Sequence, residues 1–276
     1  MSLLSHNELR IVLGPERIAL LHTSPALTPR GERNKRIIPC EAPLDGEMPW
    51  HSAVRTLEVA LPSIAKPKMH AKVTVANSFM RYLLVPWIDK MSDEEELSFA
   101  QHCFKETYGV TADSWTVRIS PGRVGAPSLA SAIDTGLLEK LRGIFGQMGV
   151  GIKSIQPHLM VAFNSCQVGL EDRSAWVALL EPGSVCLAVL QKGQLTWIRK
   201  LRIGTAWHEE LATILDREAC LADADGVADE VLLWAPHVEK LDFPASGRWK
   251  IQHLKPGLKP ARRADVGGLQ ILAAVA

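Results

Sequence analysis

Apolar residues run along this chain in short blocks of two periods, separated by clusters of Gly, Pro and charge. Arg10-Ile-Val-Leu13 and Arg17-Ile-Ala-Leu-Leu21 have strand length and flank Gly14-Pro15, which predicts an opening hairpin. A charged loop over 23–35 follows, with Arg36-Ile-Ile-Pro39 as a third strand. Over Trp50–Leu61 the spacing of Val54, Leu57, Val59 and Leu61 predicts one helix. Lys72–Ala76 and Arg81–Val85 read as strands on either side of Asn77-Ser78. Ser92-Asp-Glu-Glu95 has the form of a capping box, and Leu97, Ala100, Phe104 and Tyr108 recur on one face of the helix it starts. Gly109 ends that helix, Trp115–Ile119 is a strand, and Gly136–Met148 is a helix with Leu137, Leu141, Ile144, Phe145 and Met148 inward.

The second half repeats the order of parts. Pro157–Val168 predicts a connecting helix, and Ala175–Ile203 a three-stranded meander that turns at Pro182-Gly183 and Lys192-Gly193. Ala206–Ala222 is a helix, Glu230–Trp234 a buried strand, Trp249–His253 an edge strand and Val266–Ala276 a closing helix. Asp265 is placed to cap that last segment, whose alternative reading is the first turns of a membrane span. Ile11–Leu21 and Val177–Leu190 are both apolar strand, turn with Gly, Pro and Glu, apolar strand, and each opens a run of strands and helices. An internal duplication of an α/β unit accounts for both, with one lobe over 1–155 and a second over 156–276.

Composition narrows the partners. In 276 residues, 31 Lys and Arg oppose 30 Asp and Glu, so no overall field would hold the chain on nucleic acid or an anionic membrane. Hydrophobic residues make up 47%, enough for a sizeable core. The five cysteines (Cys40, Cys103, Cys166, Cys186 and Cys220) are far apart, without CxxC or a nearby His pair, as expected of reduced, packed thiols. The N-terminal residues lack a signal peptide's basic and apolar regions, so a soluble, cytoplasmic protein is expected.

The unit of hairpin, third strand, helix, strand and helix, used twice, resembles the duplicated RNase H-like lobes of the actin-like fold. More narrowly, "VTVANSFMRYLLVPW" (73–87), the following "EEELSFAQHCFKETYG" helix, "WTVRIS" (115–120) and "GQLTWIRKLRIG" (193–204) resemble the actin-like platform proteins of type IV pilus and type II secretion assembly, the PilM and GspL cytoplasmic-domain group. The resemblance covers nearly the whole chain. It implies a two-lobed scaffold or adaptor at the cytoplasmic side of the inner membrane. Such a protein docks a cytoplasmic segment of a membrane protein, touches the membrane only through that partner, and in some members binds a nucleotide or self-associates.

In actin-like ATPases, phosphates lie between two hairpin turns, each with closely approaching backbone and typically an Asp that acts through the metal or water. The first turn here is Leu13-Gly14-Pro15-Glu16, without an Asp at the strand end and with an amide lost to proline. The second is Glu181-Pro182-Gly183-Ser184, where a carboxylate and a glycine remain. The strand end that contacts adenosine in this fold carries two glycines, whereas Val231–Trp234 runs into Ala235-Pro236. Gly14, Glu181, Gly183, Ser184 and Ala235 are therefore the nucleotide positions only if the site is retained. No cofactor is expected on the scaffold reading, and ATP with Mg belongs to the alternative, an active phosphotransferase or ATPase of the same fold with Glu181 as metal or water ligand. A small-molecule enzyme on an unrelated α/β sheet is a third reading.

Other chemistry fits less well. His208-Glu209-Glu210 would need a second His where Ala212 stands to form a zinc helix. Asp223, Asp225, Asp229 and Glu230 are acidic, but Gly226-Val227-Ala228 breaks a calcium-loop spacing and predicts a solvated loop. Ser120-Pro-Gly-Arg-Val-Gly125 has an anion-loop composition without the GK[ST] ending of a P-loop, and reads as a surface turn. Cys166 and His158 are spaced too far along one helix to bond, which leaves a buried thiol. Among the eight tryptophans, Trp87, Trp115, Trp176, Trp197 and Trp234 are expected in core or sheet faces. Trp50 and Trp207 open helices, where packing is the first expectation and a partner surface the second.

Overall fold

In the computed structural model of the chain, residues 8–23, 33–222, 227–236, 238, 243 and 247–255 are described. The predicted closing helix over 266–276 lies outside them. In chain order the strands are β1 (Glu8–Leu13), β2 (Arg17–Thr23), β3 (Arg33–Pro39), β4 (His70–Val75), β5 (Met80–Val85), β6 (Trp115–Ser120), β7 (Ser128–Asp134), β8 (Gly151–Pro157), β9 (Ala175–Glu181), β10 (Ser184–Gln191), β11 (Gln194–Arg202), β12 (Glu230–Trp234) and β13 (Lys250–His253). The helices are α1 (His51–Ala60), α2 (Asp93–Tyr108), α3 (Thr135–Gln147), α4 (His158–Leu170) and α5 (Trp207–Ala219).

Two five-stranded sheets have the same plan. The first runs β3-β2-β1-β4-β8 and the second β11-β10-β9-β12-β13. In each, three antiparallel strands are followed by two that run parallel to the first. The inferred duplication is present at the level of strand order and direction. A third sheet, β5-β7-β6, is antiparallel throughout.

The chain divides into two compact units that are discontinuous in sequence, so a single boundary after residue 155 does not delimit them. The first draws its described residues from Met1–Phe79 and Thr135–Val161, and the second from Met80–Asp134 and Ala162–Leu258. In the first unit, β4 alternates half-buried and buried positions, so its apolar residues Ala71, Val73 and Val75 share one face. α1 packs on β2 and α3, burying Leu57, Leu137 and Leu141. Asn77 follows β4 directly, and its Oδ1 accepts a 3.0 Å bond from the amide of Leu159 at the start of α4.

In the second unit β9 is buried along its whole length and β10 along all but its last residue, as strands covered on both faces must be. Trp176, Leu180, Val185, Leu187 and Leu233 pack with Trp207, Leu211 and Leu215 of α5. The third sheet has its own core, with Val85, Val117, Ala130 and Ala132 beneath Ala100 and Phe104 of α2. The capping box at the start of α2 is formed: the Ser92 hydroxyl accepts from the Glu95 amide, and the Glu95 carboxylate accepts from the Ser92 amide. Gly109, at φ 68°, ends the helix.

Several expectations are corrected. β7 and β8 were not expected. β7, SLASAID, is built from small residues with little β-branching, and its alanines are buried because sheet neighbours and α2 cover them. Val59 is 84% exposed, because its position in α1 is off the stripe made by Val54, Leu57 and Ala60. Tyr108, the last residue of α2, is exposed, and Met148, half-buried, lies one residue past the end of α3. Trp50 and Trp207 are buried and so unavailable as partner surfaces, whereas Trp87, expected to pack, is 45% exposed. Cys166 and Cys186 are packed as expected, but Cys40 and Cys103 are half-buried and Cys220 is exposed.

Candidate functional site

The two hairpin turns lie in different units. In the first, the Gly14 amide donates to the Arg17 carbonyl at 3.1 Å, closing the turn between β1 and β2. That amide is committed within the hairpin, and Pro15 has none. The Gly14 carbonyl faces the Cys40 thiol at 3.9 Å, while the Cys40 amide donates to Glu16 at 2.7 Å.

In the second, Glu181 and Ser184 are direct partners across the β9–β10 ladder, so Pro182-Gly183 is a two-residue turn. Gly183 adopts φ 72° with Pro182 before it, the combination a type II turn requires. The Gly183 carbonyl accepts from the Ile203 amide at 3.3 Å. Ser184 Oγ is buried and has no hydrogen-bond partner among the described residues. Trp234 is in register with Leu179, which brings Ala235 to the same carboxyl end of the parallel β9–β12 pair as Glu181. Ala235 is only 2% exposed, and its carbonyl accepts from Val238 at 3.0 Å. Four of the five candidate positions are thus gathered at one end of one sheet, and Gly14 belongs to the other unit.

Glu181 is 5% exposed and sits in a buried polar group that sequence reading missed. Lys200 on β11 is in register with Cys186 on β10 and faces β5, where its Nζ donates to the Met80 carbonyl at 2.9 Å. Burial, reinforced by the Arg81 guanidinium, lowers the Lys200 ammonium to about 8, and the charge of Glu181 acts in the opposite direction. Burial pushes the Cys186 thiol up to about 12, and Glu181 adds to that rise. Tyr82 is driven well above its ordinary value, first by burial and then by Cys186 and Glu181. A protonated thiol and phenol at neutral pH are not activated nucleophiles. The available signal was the alternation along β11, which puts Lys200 opposite the face of Trp197, Arg199 and Leu201.

The remaining candidates are occupied by structural roles. Asp229 accepts from Arg248 at 3.1 Å and Glu230 from Arg173 at 3.0 Å, while Asp223 and Asp225 lie outside the described residues. No group of three or more His, Cys, Asp or Glu able to hold a metal occurs among the described residues. At 120–125, the Arg123 amide donates to Gln194 at 3.4 Å, and a Cβ on Gly122 would strike the Pro127 carbonyl oxygen. Residues 121–125 are all exposed, so that turn is the surface connection expected. Among the described residues no helix is long and apolar enough to cross a membrane.

Two sheets of one strand order, each opened by a hairpin, define the actin-like fold, with its duplicated RNase H-like units. No protein-family model and no curated protein sequence matches the chain. Among solved structures it is similar to the PilM–PilN type IV pilus biogenesis complex, at 13% identity over 85% of this chain and 83% of that one, with a TM-score of 0.59. It is also similar to the cytoplasmic domain of EpsL, an inner-membrane component of the type II secretion system of Vibrio cholerae, at 12% identity over 97% and 94%, TM-score 0.53. A Bacteroides thetaiotaomicron protein with an actin-like ATPase fold matches at 11% identity over 83% and 81%, TM-score 0.53. At these identities the likeness is one of fold.

Proposed function

We propose that the chain is a non-catalytic actin-like scaffold of a type IV pilus or type II secretion assembly platform. It would work at the cytoplasmic face of the inner membrane by docking a cytoplasmic segment of a membrane-anchored assembly protein. The observation that carries this reading is the likeness of fold, over most of both chains, to the PilM–PilN complex and to the EpsL cytoplasmic domain. The turns add support. Prolines at both remove amides a phosphate would use, the Gly14 amide is spent on Arg17, and Glu181 is drawn into a buried group with Lys200. Membrane contact then runs through the partner, and self-association is compatible with the role.

The competing reading is an ATP-dependent phosphotransferase or ATPase that uses Glu181, Gly183, Ser184, Ala235 and Gly14. Calorimetric titration with Mg-ATP separates the two. The scaffold reading expects no heat at millimolar nucleotide. Micromolar binding with turnover, abolished by Glu181→Gln, would overturn it. Cross-linked pull-down from the native host is expected to recover a membrane assembly protein, and consistent failure to do so counts against the platform role.

A further inference from the structure

Residues 80–134 are one continuous excursion of the chain, made of α2 and the sheet β5-β7-β6, with a core of their own around Val85, Phe104, Val117 and Ala132. The points where the chain enters and leaves it lie side by side, because Met80 at its start is in register with Ile133 near its end. A body with its own core, hung on two adjacent strand ends, can shift on them without unfolding. Its β5 packs on β11 of the second five-stranded sheet. At that contact the Met80 carbonyl accepts from two cations, the Lys200 ammonium at 2.9 Å and the Arg81 guanidinium at 2.9 Å. Toward the start of β11 the ties are weaker, an Arg123 amide at 3.4 Å from Gln194 and an exposed Arg123 guanidinium at 3.8 Å from Asp172.

The groups around Lys200 make its charge costly while β5 is in place. Arg81 acts on it from β5, Cys186 from β10 and Glu181 from β9, and Tyr82 of β5 acts on Cys186 and Glu181. The thiol and the phenol are neutral, so two cations are answered by one buried carboxylate. Burial first, then Arg81, lowers the Lys200 ammonium from 10.5 to about 8. We propose that Lys200 is a proton-operated latch: with its amine neutral the 80–134 body stays docked on β11, and a proton on Lys200 favours release. In the released state Lys200 meets water and regains its ordinary affinity for the proton. That state then holds more protons than the docked one between about pH 8 and 10.5, so docking strengthens as pH rises through this range and is weakest, and flat, below it. The latch depends neither on nucleotide at the hairpin turns nor on which platform the chain serves, so failure of either reading leaves it standing.

The test is alkylation of Cys186 by iodoacetamide in the full chain, followed by mass spectrometry of the peptide that carries it. Cys186 is the cross-strand partner of Lys200 and is 1% exposed, so it reacts when the contact opens. Dividing its rate by that of the urea-unfolded chain at the same pH removes the ionisation of the thiol and leaves the opening equilibrium. That equilibrium is expected to fall about tenfold from pH 7 to pH 9, with little dependence on urea below the unfolding transition. Lys200→Met is expected to flatten the profile. Lys200→Arg, whose cation keeps its proton throughout, is expected to flatten it at the more open level. A wild-type profile that is level or rises with pH, a Cys186 rate with the full urea dependence of global unfolding, or an unchanged slope in Lys200→Met would each overturn the proposal.

Discussion

Lys200 and Met80 are joined by a 2.9 Å hydrogen bond from ammonium to main-chain carbonyl, although 120 residues separate them in sequence. The bond ties β11 to the first residue of β5, and so ties the second five-stranded sheet to the three-stranded one within the second unit.

Because the Lys200 ammonium is lowered from 10.5 to about 8, the folded chain releases this proton before the unfolded chain does. Between about pH 8 and 10.5 the unfolded chain therefore holds more protons, and this group's contribution to stability rises with pH; below pH 8 it is flat. Cys186 opposes it, since a thiol raised from 9.0 to about 12 loses stability as pH climbs past its unfolded value. The difference between wild type and Lys200→Met isolates the lysine. Urea midpoints between pH 7.5 and 10 should converge toward or move past the variant's in favour of wild type, by on the order of 1–3 kcal/mol. A pH-independent difference would refute the assignment.

Glu218 of α5 is fully buried and accepts from Arg199 of β11 and from Arg217, both at 2.9 Å. Both guanidiniums reach solvent, so removing the carboxylate costs less than for a wholly interior pair. Glu218→Ala is expected to lose about 1–3 kcal/mol in denaturant unfolding. Glu218→Gln, which keeps the shape, should lose less.

Trp176 is 2% exposed and meets the rings of Trp197 at 5.6 Å and Trp249 at 5.7 Å, edge to face. Replacing it by Ala should cost about 3–5 kcal/mol, and by Phe considerably less. Equal thermal midpoints for the two variants would contradict its role as the central packing residue.

Gly183→Ala and Gly122→Ala separate two reasons for glycine. At Gly183 an added Cβ finds open space, so only the φ of 72° is costly, at about 1–2 kcal/mol. At Gly122 the backbone angle is ordinary and the Pro127 carbonyl is in the way. Asn should therefore rescue position 183 in part and leave position 122 no better, as read from thermal unfolding.

The features legible in the sequence are local ones. The meander was readable because Lys192-Gly193, at φ 49° and 74°, is a two-residue reversal with positive angles at both positions, and Pro182-Gly183 is a two-residue turn with only its glycine at positive φ. The α2 capping box was readable because Ser92 and Glu95 are three residues apart. The positions Glu181, Gly183, Ser184 and Ala235 were legible as strand ends, but the neighbours of Glu181 were not. Lys200, Tyr82 and Arg81 come from other strands, and a lysine between Arg199 and Leu201 reads as solvent-facing until the other side of β11 is covered.

The sequence by itself determined the elements other than β7 and β8, the turns and the repeated strand-turn-strand frame, since these depend on residues within one or two turns of each other. The tertiary structure alone decided that 80–134 leaves the first unit for the second, that the alanines of β7 form a core, and that Lys200 points inward to Met80. Burial and charge state are set by what packs on a strand from outside it, and no local pattern carries that information.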